Sequence, residues 1–303
     1  MDIGITGASG LVGRRLVDVL ARDGERVVAF SRDPGRVAAT LPRGAEGRAW
    51  PPREPEAVAL DAVVHLLGEP VAGRWTDAKK RAIESSRVDG TRTLVDAIGR
   101  LPAERRPRVL VSASAIGYYG DRGDAVLNED AGPGDDFLAR VCVGWEREAL
   151  RAESLGVRVV CLRIGLVMSR EGGALERMLP VFRMGLGGTM GPGTQWWPWI
   201  HVDDVIGLVQ HAIRNAGVRG PLNATAPEPM RQRDFANTLA KVLRRPAFLP
   251  APALALRTVL GEFAAELLAS RRVMPQAALA SGYAFRFPTL DACLSDVTRR
   301  SVG

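Results

Sequence analysis

The residues best suited to bind a ligand form a glycine-rich turn near the N-terminus. The stretch ITGASGLVG, residues 5–13, follows a short apolar strand and opens an amphipathic segment typical of a helix. In that context Gly7 permits a tight turn, Gly10 lets the backbone approach a pyrophosphate, and Gly13 lets the helix pack closely on the strand. No Lys-Ser or Lys-Thr pair follows, as a P-loop would require. We predict that this turn binds a dinucleotide through Gly7, Ser9, Gly10, Leu11, Val12 and Gly13.

The end of the second predicted strand indicates which dinucleotide is bound. An NAD site usually carries an Asp or Glu there, which accepts a hydrogen bond from the ribose 2′-hydroxyl. This chain has Ser31 and Arg32 at that point, with Arg36 four residues further on. Because a guanidinium suits a 2′-phosphate, we predict that these three residues bind NADP(H) in preference to NAD(H). In the alternative, Arg32 only stacks on the adenine or caps a loop.

The hydrophobic pattern around these residues alternates between strands and helices. Apolar strands are predicted at Asp2–Thr6, Arg26–Ser31, Asp61–Leu67, Arg108–Ala113 and Val157–Leu162. Helical patterns are predicted at Leu11–Asp23, Arg36–Leu41, Ala78–Arg100, Asp135–Ser154, Val205–Asn215 and Ala253–Ser270. This alternation, with strands that are apolar throughout, predicts an α/β fold with a Rossmann-like, doubly wound parallel sheet.

The sequence changes character after Gly165. Residues 172–194 are rich in glycine and predict an insertion that carries a loop, and the last part of the chain contains helices punctuated by proline. We therefore predict an NAD(P)-binding domain at residues 1–215 and a small, mainly helical C-terminal lobe at residues 216–303. The lobe is expected to close over the carboxyl ends of the strands, where such sheets bind their ligands.

The composition excludes several other classes of protein. The 303 residues contain three cysteines, which is too few for a disulfide scaffold, and no Cys/His cluster has zinc-ligand spacing, so no metal is expected. No apolar run reaches the length of a membrane span, and the chain opens directly on a strand, which predicts a cytoplasmic protein without a membrane partner. The net charge of +7 is spread along the chain without interleaved aromatic residues, so no nucleic-acid partner is expected.

Several motifs, taken in order, resemble those of a known superfamily. They are GASGLVG at residues 7–13, HLLGE at 65–69, RVDGTRTL at 87–94, VSASAIGYYG at 111–120, LRIGLV at 162–167 and IHVDDV at 200–205. The chain resembles the short-chain dehydrogenase/reductase superfamily, on its extended side that is similar to NAD-dependent epimerases and dehydratases. More specifically it resembles the atypical 39U branch, which ends in a domain of unknown function, here at about residues 247–295.

This resemblance implies further site residues and partners. It implies a small-molecule substrate, which the sequence does not identify, and it suggests a homodimer formed through the long helices. Ser114 follows a strand whose end would face the nicotinamide, which makes it a candidate catalytic residue. Tyr118 and Tyr119, close behind it, are candidate proton donors. The further cofactor-binding residues implied are Leu66, Leu67, Gly68, Glu69, Arg87, Ser112, Ala113, Arg163 and Gly165.

The chain departs from the superfamily at the residues that move the proton. The chemistry of the family uses a Tyr-xxx-Lys pair, in which the lysine lowers the pKa of the tyrosine. Here the tyrosine position falls on Leu138 and the lysine position on Cys142, for which we favour a place in the core. The asparagine of the family's NVxGT motif is replaced by Arg87, which could bind an anion or form an ion pair with a nearby carboxylate.

Three functions are therefore compatible with the sequence. The chain could be an oxidoreductase or a nucleotide-sugar epimerase-like enzyme that uses another acid. It could instead be a non-catalytic sensor of NADP(H), or an interaction protein that has kept the fold. Two clusters also allow two interpretations. Trp196, Trp197 and Trp199 could stack on a substrate or pack in the core. The run His201–Asp204 could bind a metal, but the resemblance favours a helix start capped by Asp203 or Asp204.

Overall fold

The computed structural model describes residues 1–51 and 60–299, so residues 52–59 and 300–303 of the two predicted domains lie outside the described part. The strands are β1 (Asp2–Thr6), β2 (Arg26–Ser31), β3 (Ala45–Ala49), β4 (Ala62–His65), β5 (Val109–Ala115), β6 (Val126–Leu127), β7 (Arg158–Ile164), β8 (Leu166–Met168), β9 (Trp196–Trp197), β10 (Trp199–His201), β11 (Gly220–Ala224), β12 (Met230–Arg231) and β13 (Arg272–Val273). The helices are α1 (Leu11–Arg22), α2 (Pro34–Ala38), α3 (Asp77–Gly99), α4 (Phe137–Leu150), α5 (Gly173–Arg183), α6 (Val202–Arg214), α7 (Gln232–Leu243), α8 (Ala253–Leu260), α9 (Ala264–Leu268), α10 (Gln276–Ala280) and α11 (Leu290–Thr298).

One parallel sheet organises the molecule and confirms the predicted fold class. Within the described residues it has seven strands, in the order β11-β7-β5-β4-β1-β2-β3. The direction of winding reverses between β1 and β4, and a ligand of such a sheet binds in the crevice outside the carboxyl ends of the strands at this point. Thr6 at the end of β1 lies opposite His65 at the end of β4, which lies opposite Ser112 of β5.

Helices cover both faces of the sheet, which explains why its inner strands are apolar throughout. On one face, α1 and α6 contribute Leu16, Leu20 and Val205 to the main core. On the other face, α3 and α4 contribute Leu94 and Ala149, among others, to a second core. The three cysteines, Cys142, Cys161 and Cys293, are buried and unpaired.

Two strands of the sheet are absent from the sequence prediction. The edge strand β3 reads Ala-Glu-Gly-Arg-Ala, without an apolar pattern, because it is only partly buried. The opposite edge strand β11 begins Gly-Pro and resembles a turn, but it pairs with β7 along its full length. The sheet therefore continues to Ala224, beyond residue 215, where the sequence places the domain boundary; the division into two domains itself stays a prediction.

The C-terminal part is mainly helical, as predicted. Phe235 and Leu239 of α7 and Leu290 and Leu294 of α11 pack with Trp197, Trp199 and Phe182 in a separate core. The single helix predicted at Ala253–Ser270 is instead divided into α8 and α9. Gly261, with φ of +61°, separates them, since a residue with this backbone conformation ends a helix.

Candidate functional site

The glycine turn has the geometry that its sequence predicts. Gly7 has φ of +72°, and a Cβ at Gly13 would lie only 2.2 Å from the carbonyl oxygen of Gly7. A Cβ at Gly10 would meet nothing nearer than 3.3 Å, so the backbone there is open to a ligand. Gly10 is the N-cap of α1 and no side chain caps the helix, which leaves its first amides available for phosphate oxygens.

The loop after β4 lies directly against this turn. A Cβ at Gly7 would lie 2.6 Å from the carbonyl oxygen of Leu66, whose N–H donates to Thr6 O at 3.1 Å. Leu66, Leu67 and Gly68 therefore continue the wall of the crevice that the turn begins. On its other side, the side chain of Leu11 lies close to Gly172 at the start of α5, where a Cβ would be 3.4 Å away. Ser9 is exposed at the tip of the turn.

Two arginines stand at the end of β2. Arg32 and Arg36 are exposed, and neither forms an ion pair with any residue that the structure describes. The nearby carboxylate of Asp33 caps α2 instead, accepting a hydrogen bond from the N–H of Arg36 at 3.0 Å, and Ser31 Oγ accepts from the N–H of Asp33. Both guanidinium groups are thus free to meet a phosphate.

His65 connects the strands beneath the crevice, a role that the sequence did not predict. Its Nδ1 lies 2.7 Å from Thr6 Oγ1 and its Nε2 lies 3.0 Å from Thr91 Oγ1. Burial lowers the pKa of His65 to about 3, so the ring is neutral near pH 7. The histidine joins β1, β4 and α3 where the crevice is formed.

Ser114 is held by a buried ion pair rather than left open to a substrate. Its Oγ donates to Glu146 Oε1 at 2.6 Å, and the same carboxylate receives Nε and Nη2 of Arg163 at 2.8 and 2.9 Å. Burial lowers the pKa of Arg163, but the hydrogen bonds and charge of Glu146 outweigh it and raise that pKa. The side chain of Arg163 is thus occupied by Glu146, so the predicted contact of Arg163 with the cofactor can involve only its backbone.

The two candidate tyrosines have different surroundings. The hydroxyl of Tyr119 is fully buried, receives a hydrogen bond from Arg163 Nη1 at 3.0 Å and donates to Asn223 Oδ1 at 2.7 Å. Burial raises its pKa to about 12, which disfavours Tyr119 as a proton donor to a substrate. The ring of Tyr118 is half-buried, with Cζ of Arg163 at 3.5 Å from its centroid, and its hydroxyl bonds to none of the described residues.

The positions of the absent Tyr-xxx-Lys pair are filled by apolar packing. Leu138 and Cys142 are both buried on α4, against Gly117 of the turn that follows β5. Cys142 Sγ lies 3.8 Å from the carbonyl oxygen of Ala115, and burial, aided by Glu146, raises the pKa of this thiol to about 12. Neither side chain can exchange a proton near pH 7, and the core position favoured for Cys142 is the one observed.

The side chains of Glu69 and Arg87, near the loop after β4, have different partners. Glu69 Oε1 accepts from Lys79 Nζ at 2.7 Å, so this carboxylate is already paired. Arg87 Nη1 donates to the carbonyl oxygens of Glu69 and Ile83, at 2.9 and 3.2 Å. In the described part of the chain Arg87 contacts no carboxylate, so the ion pair considered as an alternative is not observed.

The remaining predicted cofactor residues contribute backbone at the edge of the sheet. Ser112 and Ala113 are buried in β5, and Ser112 Oγ donates to the carbonyl oxygen of Ala113 at 3.3 Å. Gly165 follows β7 and packs closely on Pro198, which lies between β9 and β10, since a Cβ would lie 2.7 Å from Pro198 O. Their part in binding a cofactor therefore stays a prediction, which concerns their backbone at the ends of β5 and β7.

The cap predicted for the helix after Ile200 was assigned to the wrong residue. His201 is the N-cap of α6, and its Nδ1 accepts the N–H of Asp203 at 3.0 Å. Asp204 lies inside the helix and accepts hydrogen bonds from the N–H groups of Arg286 and Phe287, at 2.7 and 2.9 Å.

The tryptophan cluster divides into a buried and a surface part. Trp197 and Trp199 are buried in the C-terminal core, while Trp196 lies between the guanidinium groups of Arg231 and Arg272 and donates to Asp124. No three acidic, histidine or cysteine side chains in residues 1–51 and 60–299 are grouped so that they could hold a metal ion. No helix in those ranges combines the length and hydropathy needed to cross a bilayer.

Comparisons with known proteins agree with this arrangement along nearly the whole chain. The model of the NAD dependent epimerase/dehydratase family matches residues 3–224, and a domain of unknown function, DUF1731, matches residues 251–297. The chloroplastic epimerase family protein SDR39U1 homolog of Arabidopsis thaliana is 40% identical over 294 residues, which cover 95% of this chain and 84% of that protein. The epimerase family protein YfhF of Bacillus subtilis is 36% identical over 301 residues, 98% of each chain.

A solved structure extends the likeness to three dimensions. The crystal structure of human epimerase family protein SDR39U1 (isoform2) with NADPH has a TM-score of 0.85 to this chain at 32% identity. The match covers 98% of this chain and 99% of the human one. The chain therefore belongs to the NAD dependent epimerase/dehydratase family, within the SDR39U1-type branch of the short-chain dehydrogenase/reductase superfamily that its motifs predicted.

Proposed function

We propose that this protein binds NADP(H) in the crevice at the carboxyl edge of β1, β2 and β4, in preference to NAD(H). The observation that carries the proposal is the uncapped start of α1 beside two guanidinium groups, Arg32 and Arg36, that have no acidic partner among the described residues. In a sheet with this strand order we expect the pyrophosphate at β1 and the adenosine phosphate at β2. NADPH in the crystal structure of the human relative supports the same cofactor here.

Calorimetric titration with NADPH and NADH tests this preference. We expect the wild type to bind NADPH at least tenfold more tightly, since a charge-assisted contact to the 2′-phosphate is worth about 1.5–3 kcal/mol. Arg32→Ala should remove most of the difference by weakening NADPH alone. The matched control is Arg43→Ala, which deletes a guanidinium without touching the end of β2. Equal affinities of the wild type for both nucleotides would refute the preference.

With this cofactor bound, the protein acts as an oxidoreductase or nucleotide-sugar epimerase-like enzyme on a small molecule that lies between the sheet and the C-terminal helices. The bound nicotinamide would supply or accept the hydride. Of the candidate residues, Tyr118 supports this function best, because its hydroxyl is not used by any described residue and it follows β5 closely. Ser114 could donate to a substrate only after its hydroxyl turns away from Glu146, to which it now donates.

A non-catalytic NADP(H) sensor is the second candidate function. It is favoured by the buried Tyr119, whose hydroxyl is fully occupied, and by the apolar residues in the two positions where the family has its proton relay. Oxidation of NADPH, followed at 340 nm over a panel of carbonyl compounds and sugar nucleotides, separates the two functions. Turnover that Tyr118→Phe abolishes supports the enzyme; tight binding of NADPH without turnover on any compound supports the sensor.

A further inference from the structure

The side chain of Arg87 is held by several contacts where α3 packs against α4. One face of its guanidinium lies against Gly68, where a Cβ would be 3.1 Å from Cζ, and the Trp145 ring centroid lies 5.1 Å from the same atom. Two carbonyl oxygens hold Nη1, at 2.9 and 3.2 Å. The group is therefore fixed, and its Nε and Nη2 form no hydrogen bond within the described residues.

In the described part of the chain no carboxylate forms an ion pair with Arg87, so its positive charge is compensated only in part. The nearest acidic residue along the crevice, Glu69, is paired with Lys79. Burial lowers the pKa of Arg87 more than the nearby Cys142 and Glu69 raise it. A half-buried cation without a charged partner is costly, and a polar or anionic ligand that bound Nε and Nη2 would lower this cost.

The same guanidinium lies beside the position from which the family lysine is absent. Val88, the next residue, contacts α4 at Gly144, where a Cβ would be 3.2 Å from Val88 Cγ2. Cys142 and Trp145 are three residues apart and lie on one face of α4, so Arg87 shares its surroundings with Cys142. The Arg87 charge also opposes the rise that burial causes in the pKa of the Cys142 thiol.

The strand order says which half of the cofactor would reach this position. Gly68 follows β4, and Cys142 Sγ lies near the carbonyl oxygen of Ala115 at the end of β5. If the adenosine phosphate lies at β2 and the pyrophosphate at β1, the nicotinamide riboside extends over β4 and β5. We infer that Arg87 binds this half of NADP(H) and supplies from α3 the positive charge that a lysine on α4 supplies elsewhere in the family, an inference that rests on the proposed function.

Two nucleotides that differ only beyond the adenosine half test the inference. NADPH contains the nicotinamide riboside, whereas adenosine 2′,5′-bisphosphate has the 2′-phosphate and ends before it. We expect Arg87→Gln to weaken NADPH about 10- to 100-fold in calorimetry, as the loss of charged hydrogen bonds does, and to leave the bisphosphate unchanged. Arg32→Ala, the matched control, should weaken both.

The outcomes separate this inference from the function on which it rests. A wild type that binds neither nucleotide would refute the proposed function. A wild type that binds both, with an Arg87→Gln variant within twofold of it for NADPH, would overturn the role of Arg87. An equal loss for both nucleotides would also overturn it, because Arg87 would then only hold the loop at Gly68.

Moving the charge back to α4 gives a second, independent measurement. The double variant Arg87→Asn/Cys142→Lys carries the residue types that the family has at both positions. Provided that it binds adenosine 2′,5′-bisphosphate like the wild type, it should recover NADPH affinity relative to Arg87→Asn alone. Failure to recover it while the bisphosphate still binds would contradict the equivalence of the two positions.

Discussion

The buried ion pair of this site lies behind the crevice rather than in it. Glu146 receives two nitrogens of Arg163 and the hydroxyl of Ser114, all of them buried. In the strand sequence RVVCLRI, Arg163 lies among apolar residues, which indicates that it has an acidic partner. The sequence does not identify that partner among the acidic residues of the chain. The pairing follows from the packing of α4 on β7, which brings together residues 17 positions apart.

Removing the Glu146 charge should destabilise the protein strongly. Glu146→Gln leaves Arg163 buried without a counter-ion, for which we expect a loss of about 3–5 kcal/mol in the free energy of unfolding. Urea denaturation measures it. Asp96→Asn is the matched control, since Asp96 and its partner Arg151 are largely exposed and their pair should contribute less than about 1 kcal/mol. Equal effects of both changes would contradict the prediction.

His65 should make the stability depend on pH. Burial lowers its pKa from 6.5 to about 3, so below pH 6.5 the unfolded chain binds a proton that the folded chain does not. This contribution is absent above pH 7.5 and lowers the free energy of unfolding by about 1.4 kcal/mol between pH 7.5 and 5.5. His65→Gln should lose that part of the slope. Parallel pH profiles for the two proteins, from urea denaturation, would show the expectation to be wrong.

At the scale of elements, the sequence predicts the inner strands and the long helices well and the edges poorly. Strands buried on both faces carry an apolar run that can be recognised locally, as in Ala62–His65 and Arg158–Ile164. Edge strands such as Ala45–Ala49 are stabilised by their neighbour alone, so their residues are free to be polar. The glycine turn was predictable because its backbone requirements fall within the short stretch 7–13. The contacts of Tyr119 and Arg87 were not predictable, because they depend on distant elements.

Asp204 should hold the segment after α10 against the start of α6. Its carboxylate accepts the N–H groups of Arg286 and Phe287, and the Tyr283 hydroxyl lies 3.1 Å from Oδ1. Asp204→Asn turns an amide N–H₂ toward one of these donors, at a cost of about 1–3 kcal/mol. Hydrogen exchange should show faster exchange at Arg286 and Phe287, while β5 stays protected. Unchanged protection at both amides would argue against the role of Asp204.

At the scale of the molecule, the sheet and the C-terminal helices are connected at several points around the crevice. Asn223 of β11 joins Tyr119 to the carbonyl oxygen of Met274, and Trp197 Nε1 donates to the carbonyl oxygen of Leu267 at 3.1 Å. Lys80 of α3 forms an ion pair with Glu262. A ligand in the crevice therefore lies among elements from both parts of the chain, and its binding should stabilise them together.

NADPH should accordingly raise the melting temperature of the whole protein in one transition. At a concentration 100-fold above its Kd, a ligand that binds only the folded state adds about 2.7 kcal/mol to the free energy of unfolding. For a chain of this length that corresponds to a shift of about 4 °C. Differential scanning calorimetry with NADPH, and with NADH at the same concentration as the control, measures it. The same shift with both nucleotides would argue against the preference for NADP(H).

The burial of all three thiols has a practical consequence. All three cysteines are buried, and burial raises the pKa of each thiol. In the folded protein they therefore present no exposed thiolate to an alkylating reagent or to peroxide. Such a reagent can mark only molecules that have opened, and the order in which Cys142, Cys161 and Cys293 become labelled would record which region opens first. The native cysteines thus report the order of local unfolding. A cysteine introduced at the surface can carry a spectroscopic probe without replacement of any of the three.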